Sequence, residues 1–195
     1  MDERAREIWA RLLRDRIVFI GTPIDDYVAN LVTRQMRLLG DESRSRAISL
    51  YINSPGGYLT SSCAILEAMD ASTCDVESFV VGSAAGTALQ IAAHARGGRR
   101  FALSNAHFTL CPLQGPPDQQ VASHQAKLET MLAADSKKRV ADIRRDMASN
   151  LTLSAEQAKK YGLIDEILVE FPRPSARPPR KPARRRGPGA APLNP

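Results

Sequence analysis

VGSAAGTAL, residues 81–89, joins the glycine-terminated end of an apolar run to a string of small residues that open a helix. A strand-to-helix corner of this shape is where many hydrolases present a nucleophilic side chain beside a helix amino end, whose NH groups lack internal partners. The residue at this corner is Gly86, which has no side chain.

The segments around the corner alternate in type. Residues 5–14 carry Ile8, Trp9, Leu12 and Leu13 on one helical face, and RIVFIG (16–21) reads as a buried strand stopped by glycine. Val28, Leu31, Val32, Met36 and Leu39 recur at helical spacing from Asp26 to Leu39, with Gly40 as the expected stop. ISLYIN (48–53) is a strand, SPGG a turn, 59–70 a helix, and VESFVVG (76–82) a strand. GTALQIAAHA continues as a helix, and FALSN and HFTLC are two short strands. Strand and helix in regular alternation imply an α/β fold with a parallel sheet and crossover helices. Residues 118–147 hold apolar positions at mostly helical spacing over a length that exceeds an ordinary packing helix. Ser154 with Gln157 forms a capping box for a last helix, and Gly162 ends it.

Composition bounds the function classes. A chain of 195 residues with 43% apolar content suits one folded body with a proper core. Apolar runs are interrupted well before membrane-spanning length, and the charged start MDERAREIWARLLRD lacks a secretory pattern, so a cytoplasmic location is expected. Cys63, Cys74 and Cys111 show no metal-ligand spacing and read as free thiols, and no cofactor is expected. The net charge of +6 sits at the end of the chain: residues 171–195 hold seven Lys or Arg, no acid and eight of the 13 prolines, which leaves −1 for the rest. We read 1–170 as the folded domain and 171–195 as a disordered basic tail, a solvated end rather than a nucleic-acid binder.

YINSPGG (51–57), the VGSAAGTAL corner, RRFALSNA (99–106) and SAEQAKKYGLIDEIL (154–168), in this order, resemble the ClpP family, the proteolytic subunits of Clp proteases. The resemblance runs from about Arg4 to Leu168 and implies a crotonase-like α/β spiral with a protruding handle helix, here 118–147. It further implies two stacked seven-membered rings, built of this chain alone or mixed with other ClpP-type subunits, and an ATP-driven unfoldase as partner. The family serine follows Gly-x-Ala-Ala, here Gly82-Ser83-Ala84-Ala85, which puts Gly86 at its position. The histidine position falls on Cys111. The aspartate position falls nearest Asn150, with Asp146 as the alternative if the shorter segment before Ser154 is gapped elsewhere. The oxyanion hole, by the same resemblance, is the backbone NH of Gly57 and of Thr87.

A degenerate, non-catalytic ring subunit is therefore the expected function, because an oxyanion hole stabilises an attack that a nucleophile must still make. Two other readings remain: a residual hydrolase using Thr87 or Cys111, with His107 four residues away, and a crotonase-like acyl-binding protein. His94 is read as a helix surface or interface residue, His124 as solvated and Cys63 as core. Pro116 and Pro117 remove two backbone donors where the family pairs a strand with peptide, and the pore-lining loops that precede the family's first helix are not expected. Tyr51 is expected near the family's hydrophobic docking pocket.

Overall fold

The structure, a computed structural model, describes residues 3–95, 99–113 and 119–170. The expected basic tail, 171–195, and the expected loss of strand pairing at Pro116 and Pro117 both fall outside the described residues.

Seven helices and seven strands form among the described residues, alternating as far as α4: α1 (Glu3–Arg14), β1 (Ile17–Ile20), α2 (Asp26–Glu42), β2 (Ile48–Ser54), α3 (Leu59–Ala71), β3 (Val76–Ala85) and α4 (Gly86–His94). β4 (Arg100–Leu103), β5 (His107–Thr109), α5 (Gln119–Ser136), α6 (Val140–Ala148), β6 (Thr152–Ser154), α7 (Ala155–Tyr161) and β7 (Glu166–Leu168) complete the order. The main sheet runs β1-β2-β3-β4-β7, all parallel; β2 at its centre is buried along nearly its whole length, whereas β4 and β7 at one edge are largely half-buried or exposed. β5 and β6 depart from the all-parallel expectation, since they pair antiparallel with each other.

β3 is the element that builds the site. Its first half pairs with β4 through Ser78–Val80, and its second half pairs with β5 through Ser83–Ala85. That second ladder carries the strand three residues past Gly82, where the sequence pattern ends it. Between the two halves the register against β2 shifts, and the Asn53 carboxamide oxygen accepts the Ser83 NH at 3.0 Å. A Cβ at Gly82 would lie 2.5 Å from that same oxygen. The residue there is small because a side chain crosses it.

α2 continues through Gly40 to Glu42 instead of stopping. Gly40 is buried and its carbonyl accepts the Thr73 hydroxyl at 2.9 Å, so close packing against the end of α3 explains the glycine. The long segment expected as one handle divides into α5 and α6 at Lys137, whose φ is +58. α5 is anchored in its second half by Leu128, Leu132 and Ala133, while Ala122, Ser123, Ala126 and Lys127 in its first half are exposed. α7 begins with the expected capping box, Ser154 with Gln157, and ends at Gly162 with φ +99.

Aromatic rings form a row across the sheet: Trp9, Phe19, Tyr51, Phe79 and Phe101, with neighbouring centroids 4.9–6.3 Å apart. Tyr51 is buried inside it, and Trp9 at its end is exposed. Among the described residues no helix is long and apolar enough to cross a membrane.

Candidate active site at the β3–α4 corner

The corner is assembled from backbone. The turn 54–57 is fastened by Ser54, whose hydroxyl donates to Thr22 O at 2.7 Å and accepts the Gly56 NH at 3.2 Å. Ile24 then bridges the turn, with its NH donating to Gly56 O and its carbonyl accepting the Tyr58 NH, each at 2.9 Å. Gly56 has φ +94, and a Cβ on it would lie 2.6 Å from Ala85 O. A Cβ on Gly57 would lie 2.0 Å from Ile24 O. Gly56 thus lets the turn lie against the last residue of β3, and Gly57 lets it lie against Ile24.

Gly86 follows with φ +52 and starts α4 without a side-chain cap. Its NH lies close enough to the Cys111 sulfur to bear on its titration, and a Cβ built on Gly86 would stand 3.4 Å from that atom. The two positions read from sequence as those of nucleophile and base are therefore in contact. Asn150 stands one step further along. β5 and β6 pair Thr109 with Thr152, and the Leu110 NH donates to Leu151 O at 2.9 Å. Cys111 and Asn150 come next in that register. Asn150 has φ +51, a conformation that asparagine tolerates better than most residues.

The electrostatics are those of a neutral site. Burial pushes the Cys111 thiol above its ordinary pKa, and the Gly86 NH pulls the other way more weakly. A thiol shifted in that direction is less thiolate at neutral pH, hence a weaker nucleophile and base. Asp146, the alternative carboxylate, is engaged elsewhere: it accepts the Tyr161 hydroxyl at 2.7 Å and the Arg145 guanidinium at 3.0 Å. Burial and that carboxylate together push the Tyr161 phenol upward, so Tyr161 stays a donor to Asp146.

Thr87 is where the structure adds what sequence reading missed. The reading counted only its backbone NH, but its hydroxyl accepts the Gly57 NH at 3.0 Å and donates to Gly57 O at 3.4 Å. Its side chain is buried.

His94, expected on a surface or interface, is instead enclosed. Its Nδ1 lies 3.0 Å from Asp135 Oδ2 and its Nε2 lies 3.3 Å from Asp70 Oδ1, and Gln90 donates to Asp135 at 2.7 Å. The spacing of Gln90 and His94, four apart on one helix, is the signal that would have placed both on one face. His107 is exposed, His124 is half-buried, and Cys63 is half-buried against the core. All three cysteines are free, and among the described residues no group of three or more His, Cys, Asp or Glu could hold a metal ion.

The parallel sheet, the glycine turn and the small-residue corner make a scaffold that would present a side chain at position 86 beside helix NH groups. The family model for Clp protease matches residues 1–171. With every described residue inside that match, the protein belongs to the Clp protease family.

Proposed function

We propose that the chain is a non-catalytic subunit of a Clp-type proteolytic assembly in the cytoplasm, joining rings with itself or with active ClpP-type subunits that an ATP-driven unfoldase feeds. The supporting observation is the contact between Gly86 and Cys111, at the positions of serine and histidine, with Asn150 next in register. In this reading Gly57 and Thr87 retain the backbone donors of an oxyanion hole, but the attack has no author: position 86 offers no hydroxyl and position 111 offers a thiol held protonated by burial. The rescue by Thr87 is disfavoured because its hydroxyl is buried and bonded to Gly57 in both directions. The partly exposed α1, with Ile8 and Trp9 outward, and the exposed first half of α5 are surfaces consistent with assembly.

The test is co-purification with an active ClpP-type subunit of the same cell, followed by native mass spectrometry of the rings. The purified chain is assayed in parallel with a fluorogenic dipeptide and a fluorophosphonate. Mixed or homomeric rings without turnover or labelling support the reading. A monomer at micromolar concentration, or turnover that disappears in Cys111→Ala or Thr87→Val, overturns it.

A further inference from the structure

We propose that Thr87 closes the corner from within: its hydroxyl holds the place at the Gly57 NH where the carbonyl of a peptide ligand would be received. The inference rests on the reading of Gly57 as an oxyanion donor. An NH has one proton to donate, and at Gly57 it already points to Thr87 Oγ1 at 3.0 Å. The bond is reciprocated, since the same hydroxyl reaches Gly57 O at 3.4 Å, so the oxygen that occupies the donor is itself fixed at two points.

The position of Thr87 in α4 explains why its hydroxyl turns that way. A threonine inside a helix bonds back to a carbonyl three or four residues earlier. Thr87 is the second residue of α4, and the carbonyls at those distances, on Ala84 and Ser83, belong to β3. Its β-branched side chain has few rotamers, and with Thr87 at 1% exposure no solvent competes for the hydroxyl. Gly57, by contrast, is exposed, so the turn itself is reachable by a ligand. A peptide carbonyl arriving there has to displace the hydroxyl from the Gly57 NH and leave its oxygen without that donor in a buried place, which is a cost the ligand's own bond only offsets. The corner would therefore reject acyl ligands even where the glycine turn is intact.

Hydrogen exchange at the Gly57 amide, read at single-residue resolution on the full chain, tests this. Thr87→Val keeps the shape and loses the hydroxyl, while Thr87→Ser keeps the hydroxyl. Exchange is expected about tenfold faster in the valine variant and within about threefold of the parent in the serine variant, a difference on the order of one hydrogen bond. Equal rates in the parent and the valine variant overturn the proposal. Should the valine variant fail to fold, Thr87→Ala replaces it with the same expectation. In a second arm, N-acetyl-leucyl-leucine amide is added at millimolar concentration. It is expected to slow Gly57 exchange in Thr87→Ala and not in the parent. Slowing in the parent overturns the proposal. Slowing in neither overturns the reading of Gly57 as a carbonyl donor, and the rates of the first arm separate that failure from the absence of the Thr87 bond.

Discussion

The two ends of α4 divide the protein's polar chemistry unequally. At its amino end stand Gly86, a neutral thiol and a threonine hydroxyl, all bonded to backbone. At its carboxyl end, about 12 Å away along a helix rising 1.5 Å per residue, His94 is set between Asp135 and Asp70. An imidazole paired with a carboxylate is what a serine hydrolase places next to its nucleophile. Here such a pair stands at the opposite end of the helix from Gly86. The helix dipole explains why it is tolerated there, because a carboxyl terminus favours a cation. Asp135 also holds Gln90, so the His94 cluster ties α3, α4 and α5 together. One end of α4 carries neutral groups bonded to backbone, the other the charges.

The comparison breaks first at the turn, where the largest effect is expected. Gly57→Ala should destabilise the fold by ~3 kcal/mol or more, since its Cβ would lie 2.0 Å from Ile24 O, and the backbone there is held by two bonds of 2.9 Å. Gly82→Ala meets only the end of the Asn53 side chain, which can rotate, so ~1 kcal/mol is expected. Urea denaturation of both variants checks the ranking. A neutral Gly57→Ala would mean that the turn does not lie against Ile24 as described.

What the sequence revealed follows the range of the interactions. Ser154, Gln157 and Gly162 were legible because a capping box and a left-handed stop are local chemistry. The corner at Gly86 was legible from its small residues. The break between α5 and α6 was not, because residues 135–139 contain neither glycine nor proline and the turn is made by Lys137 at positive φ. The extension of β3 and the existence of β6 depend on β5, which arrives from elsewhere in the chain. The bond of Thr87 to Gly57 spans 30 residues, and that of His94 to Asp135 spans 41. No periodicity reports contacts at that distance.

The charged end of α4 sharpens the comparison through pH. The hydrogen bond to Asp135 raises the His94 pKa, burial opposes it, and the charges of Asp135 and Asp70 add to the rise. Arg99 lies in the same cleft but is matched by Asp75 at 2.8 Å and Glu77 at 3.4 Å. A folded-state pKa above the unfolded value of ~6.5 means that the stabilisation is complete below that pH and is lost as pH rises through the folded value. The stability gap between the parent and His94→Leu should therefore be larger at pH 5.5 than at pH 8.5. Thermal or urea unfolding at both pH values measures it. A gap that grows with pH would show that His94 is held neutral.

A comparably small effect on stability is expected at the corner itself, in Gly86→Ser. Space is open, because the new Cβ stands in ordinary contact with the Cys111 sulfur at 3.4 Å. The backbone is less welcoming: φ is +52, and a side chain in that left-handed region costs ~1 kcal/mol. A lowering of Tm by about 2–4 °C is expected for a chain of this size, read by differential scanning fluorimetry. Activity should stay at background with the fluorogenic dipeptide, and the fluorophosphonate should leave the new serine unlabelled. The hydroxyl would face a thiol that burial keeps protonated, so nothing removes its proton. Adding Cys111→His and Asn150→Asp supplies a base and a carboxylate, yet the Gly57 NH remains bonded to Thr87, so turnover should rise only when Thr87→Ala is added as well. Turnover by Gly86→Ser alone would show that the amino end of α4 still lacks nothing but a nucleophile, and would erase the division between the two ends.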